Sequence, residues 1–190
     1  IGAAGASCKS ITVNPSASLT INSGFSLQVC GNYNNNGSLV AQNNSTVIFN
    51  NGNVTQDMNG NMVGGSAFYN VTITKTGGGI VNMNQNADMR GNFTISNATS
   101  NFNATGKYHR VGGNFMNSGL YNPGVGGTLE LYGVLAQNYQ NTGLINNLTM
   151  NHTGPGVTLL TNAALGNNGT LTLTAGKIIT NANEVIINNR

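Results

Sequence analysis

Four consecutive residues, Lys107-Tyr108-His109-Arg110, form the densest concentration of reactive side chains in this sequence: two cations, a phenol and an imidazole. Gathered on one surface, with Tyr121 and Tyr132 nearby, they would suit an anionic glycan. They would equally suit a β-elimination in which a base takes the proton beside a uronate carboxylate neutralised by Arg or Lys. On a strand, however, successive side chains point to opposite faces, which separates Lys107 and His109 from Tyr108 and Arg110 and disperses the cluster. Carboxylates are limited to Asp57, Asp88, Glu130 and Glu184. A glycosidase needs two of them about 5 to 9.5 Å apart across one bond. Asp57 and Glu130 occupy non-equivalent parts of the chain, and solubility is the simpler role for both. His109 and His152 are isolated, and neither Cys-x-x-Cys nor His-x-x-x-His spacing occurs, so the expectation is no metal and no cofactor. No Gly-x-Ser-x-Gly elbow or phosphate-cradling glycine loop is present either, and the chain reads as a non-enzyme.

Two cysteines, Cys8 and Cys30, lie near the start of the chain. A solenoid turn takes roughly 20 to 30 residues, which would bring them onto adjacent turns within disulfide reach. The expectation is a disulfide and, with it, an oxidising extracellular setting; the alternative is a pair of free buried thiols.

The elements that must carry these residues are strands. Helical periodicity is missing, because Gly or Asn interrupts almost every stretch longer than eight residues. Short alternating segments recur at 10–13, 18–21, 26–29, 38–41, 46–49, 68–74, 79–83, 92–95, 128–131, 144–150, 157–160, 170–174, 177–180 and 184–187, each closed by Gly, Asn or Ser. Asn-x-Ser/Thr triplets such as Asn70-Val71-Thr72 follow from the same alternation.

A longer pattern overlies the strands. Residues 31–95 return, imperfectly, as 113–173. Gly31-Asn32-Tyr33 recurs as Gly113-Asn114-Phe115, Gln56 as Gln137, Asn70-Val71-Thr72-Ile73 as Asn147-Leu148-Thr149-Met150, and Phe93-Thr94-Ile95 as Leu171-Thr172-Leu173. Apolar alternation and Asn/Gly punctuation are repeated, whereas charges are not, which is the signature of a repeated shape rather than a repeated reaction centre. The chain reads as one all-β domain over 1–190: an opening turn at 1–30, copy one, a connector at 96–112, copy two, and a terminal turn at 174–190.

Two architectures accommodate many short strands, a parallel β-helix and an antiparallel β-sandwich. Composition favours the β-helix. Only 6% of residues are charged, and Asn makes up nearly a fifth of the chain. In stacked turns a residue meets its own kind one strand spacing away. An amide can donate upward and accept from below, while a charge meets a like charge. Inward-facing positions are expected at Phe49, Val71, Ile73, Phe93 and Ile95 in copy one, and at Leu131, Leu148, Met150, Leu171 and Leu173 in copy two.

In order, the motifs Gly-Asn-aromatic-x-Asn-x-Gly (from Gly31), Thr-x-x-Phe-Asn-x-Gly (from Thr46), Phe-Tyr-Asn-Val-Thr-Ile (from Phe68) and Gly-Asn-Phe-Thr-Ile (from Gly91) resemble the Asn/Gly-rich β-solenoid regions of large secreted surface proteins of Bacteroidetes bacteria. The resemblance spans about 12–187. It implies passive exoskeletal or adhesive material, exported and often relieved of a C-terminal sorting domain; ending at Asn188-Asn189-Arg190, the chain would then be a mature form or an excised fragment. No catalytic residues come with it.

The function expected is therefore an extracellular, self-assembling subunit of a filament, sheath or adhesive surface layer, with the ends of the solenoid stacking head to tail. Its partners would be other copies of itself and a cell-surface or environmental polysaccharide. The alternative is a β-helix that binds or cleaves an acidic polysaccharide. A third reading, ice binding, rests on Thr170, Thr172 and Thr174. A net charge of +3 is spread too thinly to track phosphates, and no apolar run reaches the roughly 18 residues of a membrane span, so neither nucleic acid nor membrane insertion is expected.

Overall fold

The computed structural model describes residues 1–188. Among these residues, twenty-five strands and one 3-10 turn follow one another. Every strand pairing among the described residues is parallel. The protein is a parallel β-solenoid, and no antiparallel sandwich is formed.

Three faces alternate along the chain. The first carries nine strands, one per turn: Ala6–Cys8, Ser26–Val29, Thr46–Phe49, Asn70–Ile73, Phe93–Ile95, Phe115–Asn117, Gln137–Gln140, Val157–Leu159 and Ile178–Ile179. The second runs from Ile11–Val13 through Tyr33–Asn35, Gln56–Gly60, Ile80–Met83 and Asn101–Asn103 to Leu120–Asn122, and continues as Leu144–Ile145, Ala163–Leu165 and Val185–Ile187. The third begins with Ser18–Ile21 and Ser38–Ala41, and ends with Ala87–Met89, Tyr108–Val111, Thr128–Gly133, Asn147–His152 and Leu171–Ala175. Between these two groups the 3-10 turn Gly64–Ser66 takes the place of a strand. There the Ser66 hydroxyl accepts from the Leu39 N–H at 3.3 Å, replacing a missing ladder bond.

Turn length varies. On the first face Leu27 stands beside Val47 and Val47 beside Val71, so the second of these turns is the longer. The corners absorb the difference, so inward positions still stack. Val71 and Ile73 are buried while Asn70 and Thr72, alternating with them, are partly exposed. Aromatic rings from different faces meet inside: Phe93 lies 4.9 Å from Phe102 and 5.7 Å from Phe115, which stacks on Tyr139 at 5.7 Å.

Of the ten expected inward positions, eight are fully buried and Leu171 is partly so. Leu173 departs: it aligns with buried Met150, yet is 64% exposed. Its direction is inward, but it belongs to the last described turn, and no described turn lies above it. The final positions of the expected terminal turn, 189 and 190, lie outside the described residues.

The connector at 96–112 is no break. It forms the strands Asn101–Asn103 on the second face and Tyr108–Val111 on the third, in register with their neighbours. Because it holds two strands and a full turn needs three, copy two is rotated by one face relative to copy one. Tyr33–Asn35 lies on the second face and its counterpart Phe115–Asn117 on the first; Thr46–Phe49 lies on the first and Thr128–Gly133 on the third. The duplication is therefore a screw operation, and what it preserves is corner chemistry. Gln56, fully buried, donates from Nε2 to the carbonyls of Val29 (2.8 Å) and Gly31 (2.7 Å) in the turn before. Gln137 donates likewise to Val111 (2.9 Å) and Gly113. Beside each, an Asn Oδ1 accepts the next backbone N–H: Asn32 from Asp57 (2.9 Å) and Asn114 from Asn138 (2.8 Å).

The expected Cys8–Cys30 disulfide is not formed; both cysteines are free and partly exposed. The register explains this. Cys8 pairs with Val29, one residue short of Cys30, so the thiols do not stack but sit around Gln28, at 3.8 Å from its carbonyl oxygen and 3.7 Å from its amide nitrogen. The redox argument for an oxidising compartment goes with the bond.

Because Gln56 and Gln137 serve different corners in the same way, Gln56→Leu and Gln137→Leu should each destabilise the fold by about 1–3 kcal/mol, the cost of leaving buried carbonyls without a donor. Urea denaturation of the two variants checks this, with similar losses expected for both.

Candidate functional site

The reactive quartet is divided by the wall of the solenoid. On the third-face strand Tyr108–Val111, His109 and Val111 are buried while Tyr108 and Arg110 face out. His109 Nε2 lies 3.0 Å from the hydroxyl of buried Tyr121, and its ring sits edge-on to Phe93 and Phe102. Burial drives its pKa down to about 4, against an opposing pull from the Lys107 backbone, so the imidazole is neutral at pH 7. Tyr121 is likewise a core residue, its pKa raised chiefly by burial. Neither is open to a ligand.

Arg110 remains outside and is already matched. It aligns with Asp88 on the strand before and Glu130 on the strand after, and its guanidinium approaches them at 3.7 and 3.3 Å. Its Cζ lies 4.3 Å from the centre of the Tyr132 ring. Asn151 Nδ2 donates to Glu130 Oε1 at 2.9 Å, and the Gly64 N–H to Asp88 Oδ2 at 3.3 Å. The two nearly buried carboxylates stand two strands apart, roughly 9.5 Å by strand spacing, within reach of the separation an inverting glycosidase uses. Arg110 occupies the space between them, where the scissile bond would have to lie. They act as its counter-ions.

Asp57 has a different duty. It starts a side-chain ladder up the second face: Asn82 donates to Asp57 Oδ1 (3.0 Å), Asn103 to Asn82 (3.1 Å) and Asn122 to Asn103 (3.3 Å). A parallel row links Asn34, Asn59 and Asn84 at 2.8 and 2.9 Å. A carboxylate, which only accepts, suits the end of such a row. The hydroxyl face needed for ice does not develop, because the outward column containing Thr149 and Thr172 continues as Glu130, Arg110 and Asp88.

A concave site does exist at the corner between the third and first faces, next to Arg110. It has a volume near 750 Å³ and is walled by Tyr69, Arg90, Arg110 and Tyr132, with Gly91 and Gly112 among the residues lining it. Glycine is required beneath the rings: a Cβ on Gly91 would stand 2.8 Å from Tyr69, and one on Gly112 only 2.5 Å from the Arg90 carbonyl. Lys107, Tyr108 and His109 do not line this cleft. Tyr69 and Arg90 are its unforeseen members. Tyr69 immediately precedes Asn70, and Arg90 lies two residues before Asn92, in the corner column Asn70, Asn92, Asn114, Asn138, where each of the first three Asn Oδ1 atoms accepts the next backbone N–H at 2.8 Å. Aligning the sequence on these Asn residues, one turn apart, would have found them.

Another buried polar group is structural. Lys75 is fully buried, its Nζ donating to the Val54 carbonyl at 2.7 Å. Burial lowers its pKa to about 8, which the neighbouring Cys30 partly opposes.

The His109 environment carries a pH dependence. The unfolded imidazole takes up its proton near pH 6.5 and the folded one only near 4, so the unfolded state binds more protons in between and stability falls as pH drops through that window. Urea denaturation at pH 7 and 4.5 should differ by about 2 kcal/mol from this group, and His109→Gln should reduce the difference by a similar amount.

In comparisons with known proteins, the chain matches no family model, no curated protein and no solved structure.

Proposed function

We propose that this solenoid is an extracellular structural module, a self-assembling segment of a filament, sheath or adhesive surface layer, in which the first turn of one copy seats on the last turn of another. The observation that carries the reading is the stacking itself, in which each turn buries the core-facing row of the turn before it and pairs its strand edges. In the last described turn, which no described turn covers, Leu173 is 64% and Ile187 52% exposed, and Leu171, Ile178 and Val185 are only partly buried. One turn earlier, the equivalent Val157, Leu159, Ala163 and Leu165 are at most 2% exposed. A parallel turn laid on this end would cover the row and pair the three strand edges Leu171–Ala175, Ile178–Ile179 and Val185–Ile187.

The first described turn offers a matching partner. Ala6, Cys8, Ile11 and Leu19, from strands of all three faces, are partly buried hydrophobics of the first turn. Contact between unlike ends is heterologous and does not close, so it propagates. The flanks support durability: with 6% charged residues, little long-range repulsion opposes approach. The Asn rows can exchange water for bonds between subunits of about 0.5–1.5 kcal/mol each. The extracellular placement rests on the resemblance of the sequence to secreted surface repeats.

Light scattering and electron microscopy of the purified chain should find rods whose length grows with concentration and persists at about 1 M salt, since cohesion that is mostly non-ionic is not screened. Leu173→Asp, a change at an exposed side chain, should leave a folded monomer. A wild-type chain that stays monomeric at every concentration would contradict the reading.

A further inference from the structure

The corner cleft has the chemistry of a binding site for an acidic polysaccharide, and it is independent of the ends. Its electrostatics turn on the difference between its two arginines. Arg110 is neutralised by Asp88 and Glu130 and packed on Tyr132. Arg90 has no carboxylate within ion-pairing distance among the described residues. Its guanidinium is instead anchored through one nitrogen to the Ala41 carbonyl, across the gap where the Gly64–Ser66 turn replaces a strand. This tether fixes an exposed cation at the cleft wall and leaves its remaining N–H groups open. Holding the cation in place before a ligand arrives lowers the ordering cost of binding.

The remaining lining is biased towards donors. The Asn92 and Asn114 side-chain oxygens are occupied by backbone N–H groups of the following turn, at 2.8 Å each. Their amide NH2 groups have no protein partner among the described residues, and both residues line the cleft. The nearby carboxylates Asp88 and Glu130 are committed to Arg110, Gly64 and Asn151. A ligand must therefore bring acceptors, with a negative charge opposite Arg90. Tyr69, half-buried against Gly91, adds an aromatic wall of the kind on which a sugar ring packs.

Spacing selects a chain over a single small anion. Asn92 and Asn114 are one turn apart and Tyr69 and Tyr132 three, so along the axis the donors are separated by one step of about 4.8 Å and the rings by three such steps. That step is close to the advance of one pyranose residue in an extended polysaccharide. We propose that the cleft walled by Tyr69, Arg90, Arg110 and Tyr132 binds a run of two or three residues of a uronate-containing polysaccharide. One carboxylate would lie on Arg90, and the sugar hydroxyls would accept from Asn92 and Asn114. No bond is made or broken in this role.

Titration of the monomeric chain, or of Leu173→Asp if the wild type assembles, with hexagalacturonate, hexamannuronate and fully methyl-esterified hexagalacturonate tests this. At least one free-acid hexamer should bind, weakening as salt is raised. The methyl ester, which keeps the ring and hydroxyls but loses the charge, should bind at least tenfold more weakly than hexagalacturonate if the latter binds. Arg90→Gln should weaken binding of the responsive hexamer at least tenfold, whereas Lys9→Gln, which removes the same charge far from the cleft, should leave it unchanged. Arg90 is exposed, and circular dichroism will confirm that the variant stays folded. The proposal is overturned if neither acid hexamer binds at millimolar concentration, if ester and acid bind alike, or if Arg90→Gln binds as the wild type does. None of these outcomes bears on assembly, which is read from particle size.

Discussion

A residue in this protein sits one strand spacing from its counterpart in the next turn, and almost everything else follows from that constraint. At about 4.8 Å, two like charges repel and two large side chains must stack. An amide, carrying donor and acceptor together, satisfies its neighbours on both sides. The Asp57–Asn82–Asn103–Asn122 row uses this property outside the barrel, and the buried Asn117–Asn141 pair, at 2.7 Å, uses it inside. The outward column that carries Asp88, Arg110 and Glu130 alternates its sign, which is the other arrangement that stacking tolerates. Scarcity of charge and abundance of Asn are thus two aspects of the same geometry.

Alternation made the strands legible, and amide content with low charge made parallel stacking legible. Eight of the ten named inward positions are buried, and core residues such as Met58, Phe102 and Tyr139 lie outside that set. Asn-rich strands such as Tyr33–Asn35 and Asn101–Asn103 escaped because their inward residues are few and partly polar, as with fully buried Asn35. The phase of the duplication escaped for a topological reason. Sequence similarity between residues 31–95 and 113–173 reports shared corner chemistry, and a corner looks the same whichever two faces it joins. Leu173 follows the alternation in direction but not in burial, because burial in a solenoid depends on the neighbouring turns, which local pattern does not encode. Cys8 and Cys30 fell one residue out of register. Turns on the first face differ in length, as the steps from Leu27 to Val47 and from Val47 to Val71 show, so a spacing of about one turn does not fix which residues pair.

The site divides in the same way. Strand alternation sufficed to separate His109 from Arg110, so the apparent cluster dissolved on sequence grounds alone. The cleft that replaces it gathers Tyr69, Arg90, Arg110 and Tyr132 from four successive turns. No window of sequence contains them, and their common feature is adjacency to the same corner. Function in a stacked fold is written along the axis, one contribution per turn, while the chain is read around it. The inward apolar column and the corner cleft are two such axial features: one is a row of apolar side chains, the other a row of donors.

Register underlies the cleft, the ladders and the stacked core alike, and distances between spin labels on outward positions of the first face measure it directly. With Cys8 and Cys30 replaced by Ser, labels at Gln28 and Thr94 are three strands apart, through Ile48 and Thr72, and labels at Gln28 and Met116 are four apart. The predicted backbone separations are about 14 and about 19 Å, growing by one strand spacing per turn. Separations that fail to grow by that step, or a Gln28–Met116 pair closer than Gln28–Thr94, would contradict the stacked parallel turns.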